Sequence, residues 1–276
     1  MAKKSRVPQQ QLSQKMQQKQ AFLQAVRKQQ GFTLPNTDKK IVVNVGYSSA
    51  HMNSLHATFK KEAWHEVRVD VDAKMQPDLL IQSMTAIPEI PDDSVDALWM
   101  AHVMHRLTYD QAKLLVLELV RMARVGADIV VSVPDLQVAA AYIARGEDEH
   151  ELYHPPAGTV YPVDMMFGFR PFIARGDLAR MHKSGYTAEM LGRFLRDAGV
   201  SNLHISRSNH EIVAHGKYYP YEHPERVERI SMQEAPSSMP HVPPNAAGQA
   251  HIQQAVRHID PLEAEPQLWK PLGLVR

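Results

Sequence analysis

Between about residues 40 and 218, short β-branched runs alternate with stretches that repeat apolar residues at helical spacing, and this alternation limits the fold more than any other feature. A strand that returns to the same sheet after a helix must run parallel to its predecessor, which buries the sheet and requires cover on its faces. Residues 41–45, 66–70, 79–81, 95–100 and 128–133 read as strands. Residues 50–61 read as a helix with Met52, Leu55 and Phe59 on one face. Thr108 is an N-cap candidate for a helix reaching about residue 124, with Asp110 in its first turn and Leu114, Leu115, Glu118, Leu119 and Met122 giving the spacing; Gly126 is its expected stop. Residues 187–198 form another helix closed by Gly199. Strands at 202–206 and 211–215 read as a hairpin turning at Ser208-Asn209. The expected class is therefore α/β, with a Rossmann-like, mostly parallel sheet and helices on both faces.

Residues 136–180 interrupt the rhythm with an acidic Glu147-Asp148-Glu149, a Pro155-Pro156 pair and the aromatic-rich stretch 164–170, and read as an insertion over the ligand crevice. The organisation is then a basic Gln/Lys-rich arm at 1–31, a domain at 32–219 and a Pro-rich tail at 220–276, in which only residues 251–259 show weak helical spacing. The arm explains the charge: residues 1–30 carry +7, leaving −6 for the rest of a chain whose net charge is +1. Without interleaved aromatic residues the arm reads as a solvated tail rather than a nucleic-acid-binding element, although its charge would suit one, and a protein partner is the other use for it.

The chain has no cysteine, so disulfides, thiolate metal sites and cysteine nucleophiles are all excluded. No run approaches the ~20 apolar residues of a membrane span, and the start leads into glutamines instead of an apolar signal core. The expected location is cytoplasmic, with no membrane contact. His150-Glu151-Leu152-Tyr153-His154 fits the H-E-x-x-H zinc pattern, but that chemistry needs a helix and Pro155 follows the second histidine directly. No metal is expected there beyond adventitious binding.

The phrases "VRVDVD…PDLL", "IPDDSVDALWMAHVMHRL", "ELVRMARVGADIVVSVPDL" and "HKSGYTAEMLGRFLRDAGV" occur in an order that resembles the class I S-adenosylmethionine-dependent methyltransferases, in particular a bacterial group of small predicted methyltransferases. The resemblance spans about residues 40–218 and implies a seven-stranded sheet with an antiparallel last strand. It also implies S-adenosyl-L-methionine as the cofactor, lying across the carboxyl ends of the first strands. The family's glycine-rich turn corresponds to Val45-Gly46-Tyr47-Ser48-Ser49, where Gly46 alone matches; Gly46, Tyr47 and Ser48 would face the cofactor. Asp70 would accept the ribose hydroxyls, with Asp72 close enough to compete for that role. Ser83 and Met84 would meet the adenine, where the family often has an acid, and His102, at the end of the fourth strand, is a further cofactor-binding candidate.

Relatives usually show Glu-His where this chain has His105-Arg106. His105, together with His182 of the closing "HKSGY", is a catalytic candidate as an acid or base near neutrality. The implied activity is methyl transfer to an unidentified small-molecule or glycan-like acceptor, in which in-line geometry matters more than any strong base. The other reading is a catalytically inactive methyltransferase-like protein that serves as a binding or scaffolding subunit.

Overall fold

The structure, a computed structural model, describes residues 31–46, 55–208, 210–226 and 230–233. Eight strands form one sheet: β1 (Lys40–Val45), β2 (Trp64–Asp70), β3 (Leu79–Leu80), β4 (Val95–Ala101), β5 (Ala123–Pro134), β6 (Val200–Ser208), β7 (Glu211–Tyr218) and β8 (Ile230–Gln233). Their order is β3-β2-β1-β4-β5-β7-β6-β8. Every neighbouring pair is parallel except β5–β7 and β6–β7. β7 is thus the antiparallel strand the sequence led us to expect, inserted between β5 and β6. The architecture is Rossmann-like, with the reversal in strand order falling between β1 and β4.

The eighth strand is a departure from the expected seven. Within the stretch expected to be a Pro-rich tail, Ile230–Gln233 pairs along β6 from Leu203 to Ser206, which covers an edge otherwise open to other strands. The weak helical spacing at 251–259 lies outside the described residues, as do the basic arm at 1–30 and residues 50–54 of the predicted 50–61 helix. Where that helix is described, residues 55–61 contain hydrogen-bonded turns and no helix. Two aromatic contacts explain the difference: Phe59 lies 5.0 Å from the Trp64 ring and His56 lies 5.0 Å from Trp99. Both anchor this short link to the sheet just before β2 must begin.

β1 is buried from Ile41 to Val45, as a central strand covered on both faces should be. Its alternate residues divide between two layers. Ile41, Val43 and Val45 join Leu98, Met100, Ile129, Val131 and the helices α1 (Tyr109–Met122) and α5 (Ala188–Asp197). Val42 faces the other way, with Ala97, Trp99, Val130 and Phe59. Helix α1 starts on the expected Thr108, whose hydroxyl accepts from the Gln111 amide while the Gln111 side chain accepts from the Thr108 amide. It contributes Leu115, Val116, Leu119 and Met122 to the core, each worth about 2 kcal/mol of burial. Leu114, counted with the apolar spacing, is 51% exposed. Glu118 on the same helix is buried and holds Arg121 and the Ile87 amide, which ties the chain before β4 to α1.

Helix α1 ends at Met122, earlier than expected, because Gly126 does not close it. With φ +82°, Gly126 sits inside β5, where the pairing with β4 shifts register between Val95 and Ala97. The chain passes from helix to strand without a loop. Residues 136–180 are also more regular than their sequence suggested. They hold α2 (Leu136–Ala144), α3 (Pro162–Phe167), α4 (Arg170–Ile173) and a short 3₁₀ turn at Leu178–Arg180. Ala139 of α2, Val160 and Met165 of α3 form a small separate core there.

Candidate functional site

The crevice of an open α/β sheet opens at the carboxyl ends of the strands on either side of the order reversal. In this chain that edge gathers Gly46 from β1, Asp70 from β2, Ser83 and Met84 after β3, His102 to Arg106 after β4, and Asp135 after β5. Gly46 leaves β1 at φ +72°, a left-handed conformation that glycine adopts at little cost, and its amide donates to the Val69 carbonyl at 2.8 Å. This bond ties the start of the loop to the end of β2. Tyr47 and Ser48 lie outside the described residues.

Asp70 is 1% exposed. One of its carboxylate oxygens accepts from the Asp72 amide at 2.9 Å, and its carbonyl accepts from the Ile81 amide. Asp72, the competing acid, is exposed and caps the 3₁₀ turn Ala73–Met75 by accepting from the Lys74 amide. Asp70 is therefore the buried acid at the strand end. The Ser83 hydroxyl is engaged locally, 2.9 Å from the Thr85 hydroxyl and accepting from the Thr85 amide. Met84 is half-buried against the main core.

After β4 the chain turns sharply. His102 has φ +54°, its amide donates to the Ser132 carbonyl, and its Nε2 lies 2.9 Å from a Glu211 carboxylate oxygen. Glu211 begins β7, and the antiparallel insertion of that strand brings it to this edge. A 3₁₀ turn, Met104–Arg106, then buries His105. The three candidate histidines are brought together: the rings of His102 and His105 are 5.8 Å apart, those of His105 and His182 are 4.2 Å apart, and both contacts are edge-on.

His182 Nδ1 donates to the Met165 carbonyl at 2.9 Å, and the His182 amide donates to the Phe167 carbonyl. The insertion thus fixes this residue from α3. With Nδ1 carrying the proton, the neutral ring has its lone pair on Nε2. Burial, with Arg106 and His102 nearby, lowers the His182 pKa to about 4, against the weaker opposing effect of the Met165 carbonyl. Burial first, then His182, His102 and Arg106, holds His105 well below the usual histidine range, and its buried Nδ1 has no hydrogen-bond partner. Both rings are neutral at pH 7 and are weak bases. They suit hydrogen bonding to a bound group better than removal of a tightly held proton.

The closing segment is bound to both neighbouring strand ends. The amides of Lys183 and Ser184 donate to the His105 carbonyl at 2.7 and 3.2 Å, the Ser184 hydroxyl donates to the Met104 carbonyl, and Tyr186 bridges Asp135. Asp135 is fully buried, caps α2 through the amides of Gln137 and Val138, and pairs with Arg207 at 2.6 Å. Asp135, Glu211 and Arg106, which also come to this edge, were not among the expected site residues. An Asp immediately before Leu-Gln-Val-Ala-Ala was an available helix-start signal for the first.

The H-E-x-x-H stretch is not helical. His150 stacks on Tyr142 at 4.8 Å, while His154 Nδ1 lies 2.6 Å from the Thr159 hydroxyl. The geometry that two zinc ligands one turn apart require is therefore absent. Among the described residues no cluster of three metal-ligating side chains occurs, and no helix is long and apolar enough to cross a membrane.

No family model and no curated protein matches the chain. Solved structures similar to it include a SAM-dependent methyltransferase from Aquifex aeolicus, at 16% identity over 71% of this chain and 89% of that one, with a TM-score of 0.42. Another is the Haloferax volcanii complex of the Trm112 methyltransferase activator with a methyltransferase, at 13% identity over 74% and 92%, with a TM-score of 0.41. A third is described as a Zn-dependent alcohol dehydrogenase from Rhodobacter sphaeroides, at 11% identity over 66% and 85%, with a TM-score of 0.43. Likenesses this distant carry no argument about activity, which has to come from the strand order and the residues at the crevice.

Proposed function

We propose that this chain binds S-adenosyl-L-methionine at the carboxyl edge of its sheet and transfers the methyl group to a small-molecule or glycan-like acceptor. The observation that carries the reading is Asp70, a buried carboxylate ending β2 beside the positive-φ turn of Gly46. A carboxylate with its rotation fixed by a backbone amide suits a vicinal diol, and a glycine turn lets the main chain come close to a ligand. The donor set fits the group: Asp70 would hold the ribose, Gly46 with Tyr47 and Ser48 the amino-acid end, Ser83 and Met84 the base, and His102 the wall beside it. When bound, that group supplies an electrophilic methyl on a sulfonium.

The chain's own part is positioning. His105 and His182, neutral and in ring contact, form one side of a place for the acceptor. The His182 Nε2 lone pair takes a proton only from an acceptor that is already acidic, so alignment for in-line attack is the pair's main task. Calorimetric titration of the purified chain with S-adenosylmethionine and S-adenosylhomocysteine tests the reading. Dissociation constants of about 1–100 μM are expected, or about −8 to −5 kcal/mol. Absence of binding by both ligands up to about 1 mM, above −4 kcal/mol, would reject it in favour of a binding or scaffolding role.

A further inference from the structure

We infer that Arg106 forms the floor of an anion subsite in the crevice that receives a carboxylate group. Arg106 ends the 3₁₀ turn after β4, and its Nε is buried without a hydrogen-bond partner. Among the described residues, no ion pair engages its guanidinium. The acids that influence it most are Asp177 and Asp70. Asp177 is already paired with Arg180 at 2.7 Å, and one Asp70 oxygen accepts from the Asp72 amide.

A second cation, Arg180, also acts on Arg106. The Arg180 guanidinium lies 4.7 Å over the Phe172 ring. Its backbone is packed against Gly168 so closely that a Cβ at residue 168 would fall 2.6 Å from the Arg180 carbonyl oxygen. Burial and Arg180 lower the Arg106 pKa to about 10, so it remains charged at neutral pH.

A guanidinium whose buried Nε has no hydrogen-bond partner and that no ion pair engages among the described residues is costly to hold, and the planar fork of arginine matches the two oxygens of a carboxylate. With Asp70 and Asp177 close by, a singly charged carboxylate fits the local balance better than a doubly charged phosphate. Two sources share this chemistry: the amino-acid end of the cofactor, in which case the inference rests on the proposed function, and a carboxylate on the acceptor.

The test uses the full chain and its Arg106→Met and Arg106→Lys variants. Thermal unfolding is followed in sodium acetate and in sodium chloride at matched ionic strength. The same proteins are titrated with S-adenosylhomocysteine and with methylthioadenosine, which lacks the carboxylate. Acetate should raise the midpoint of the parent chain more than that of Arg106→Met, with Arg106→Lys in between. A loss of about ten- to a hundred-fold in S-adenosylhomocysteine affinity in Arg106→Met, with methylthioadenosine unchanged, assigns the carboxylate to the cofactor. An acetate difference with unchanged affinity for both nucleosides assigns it to the acceptor. An acetate difference in a chain that binds neither nucleoside rejects the proposed function and keeps the subsite. If Arg106→Met matches the parent in both the acetate response and S-adenosylhomocysteine affinity, the inference falls.

Discussion

His182 makes the stability of this chain depend on acidity in a way that one substitution can isolate. Its pKa drops from 6.5 to about 4 on folding, chiefly through burial. Between those values the unfolded chain binds more protons than the native one, so the contribution of His182 is complete above about pH 6.5 and disappears as pH falls toward 4. A gap of this size corresponds to about 3 kcal/mol, or about 2–3 kcal/mol after allowing for the residual exposure of the ring.

Gln at this position can still donate to the Met165 carbonyl but does not titrate, so His182→Gln should cost stability near pH 8 and then lose less than the parent on acidification. Urea unfolding followed by tryptophan fluorescence, to which Trp99, buried beside His56, contributes, would measure both proteins at about pH 8, 6 and 4.5. The parent's advantage should shrink by about 2–3 kcal/mol across that range. His105 remains in both proteins and adds acid sensitivity common to the two curves. Parallel pH profiles would show that His182 is not buried as a neutral ring, and would remove the basis for its weak-base role.

Other substitutions test separate parts of the site. Asp70→Ala should weaken S-adenosylhomocysteine binding about ten- to a hundred-fold in calorimetry, and unchanged affinity would take Asp70 out of the site. Gly168→Ala places a side chain at φ +101° against the Arg180 carbonyl, so chemical unfolding should show a loss of about 2 kcal/mol or more, with limited proteolysis opening the 160–181 segment first. Asp135→Asn keeps an acceptor for the α2 cap but removes the charge opposite Arg207. A loss of about 2–3 kcal/mol is expected, and one below about 0.5 kcal/mol would show that Arg207 finds compensation in water.

The strands were legible because β-branched runs such as Ile41–Val45 leave little choice of conformation, and α1 because Thr108 carries a recognisable cap. Over residues 55–61 the apolar spacing misled, since ring contacts with Trp99 and Trp64 outweigh periodicity in so short a connection. Gly126 misled in the opposite way. A glycine after a helix reads as a stop, yet here its left-handed φ serves a register shift within a strand. At the candidate site, Gly46 and Asp70 stand at the ends of β1 and β2, where the sequence expected them. His102, His105 and His182 were grouped there through the family resemblance alone; no spacing in the sequence joins them, since 77 residues separate His105 from His182 and only the tertiary fold closes such a distance. Glu211 reached His102 for a similar reason, through β7 entering beside β5.

The placement of β7 also bears on how the chain is made. β5 ends at Pro134, but the strand that covers its outer side begins only at Glu211. At about 5–20 residues per second, a ribosome needs several seconds to synthesise the intervening segment. Throughout that interval the backbone donors and acceptors along Asp128–Pro134 have no partner strand on one side. A nascent chain paused there would display an open β edge to which another strand could pair.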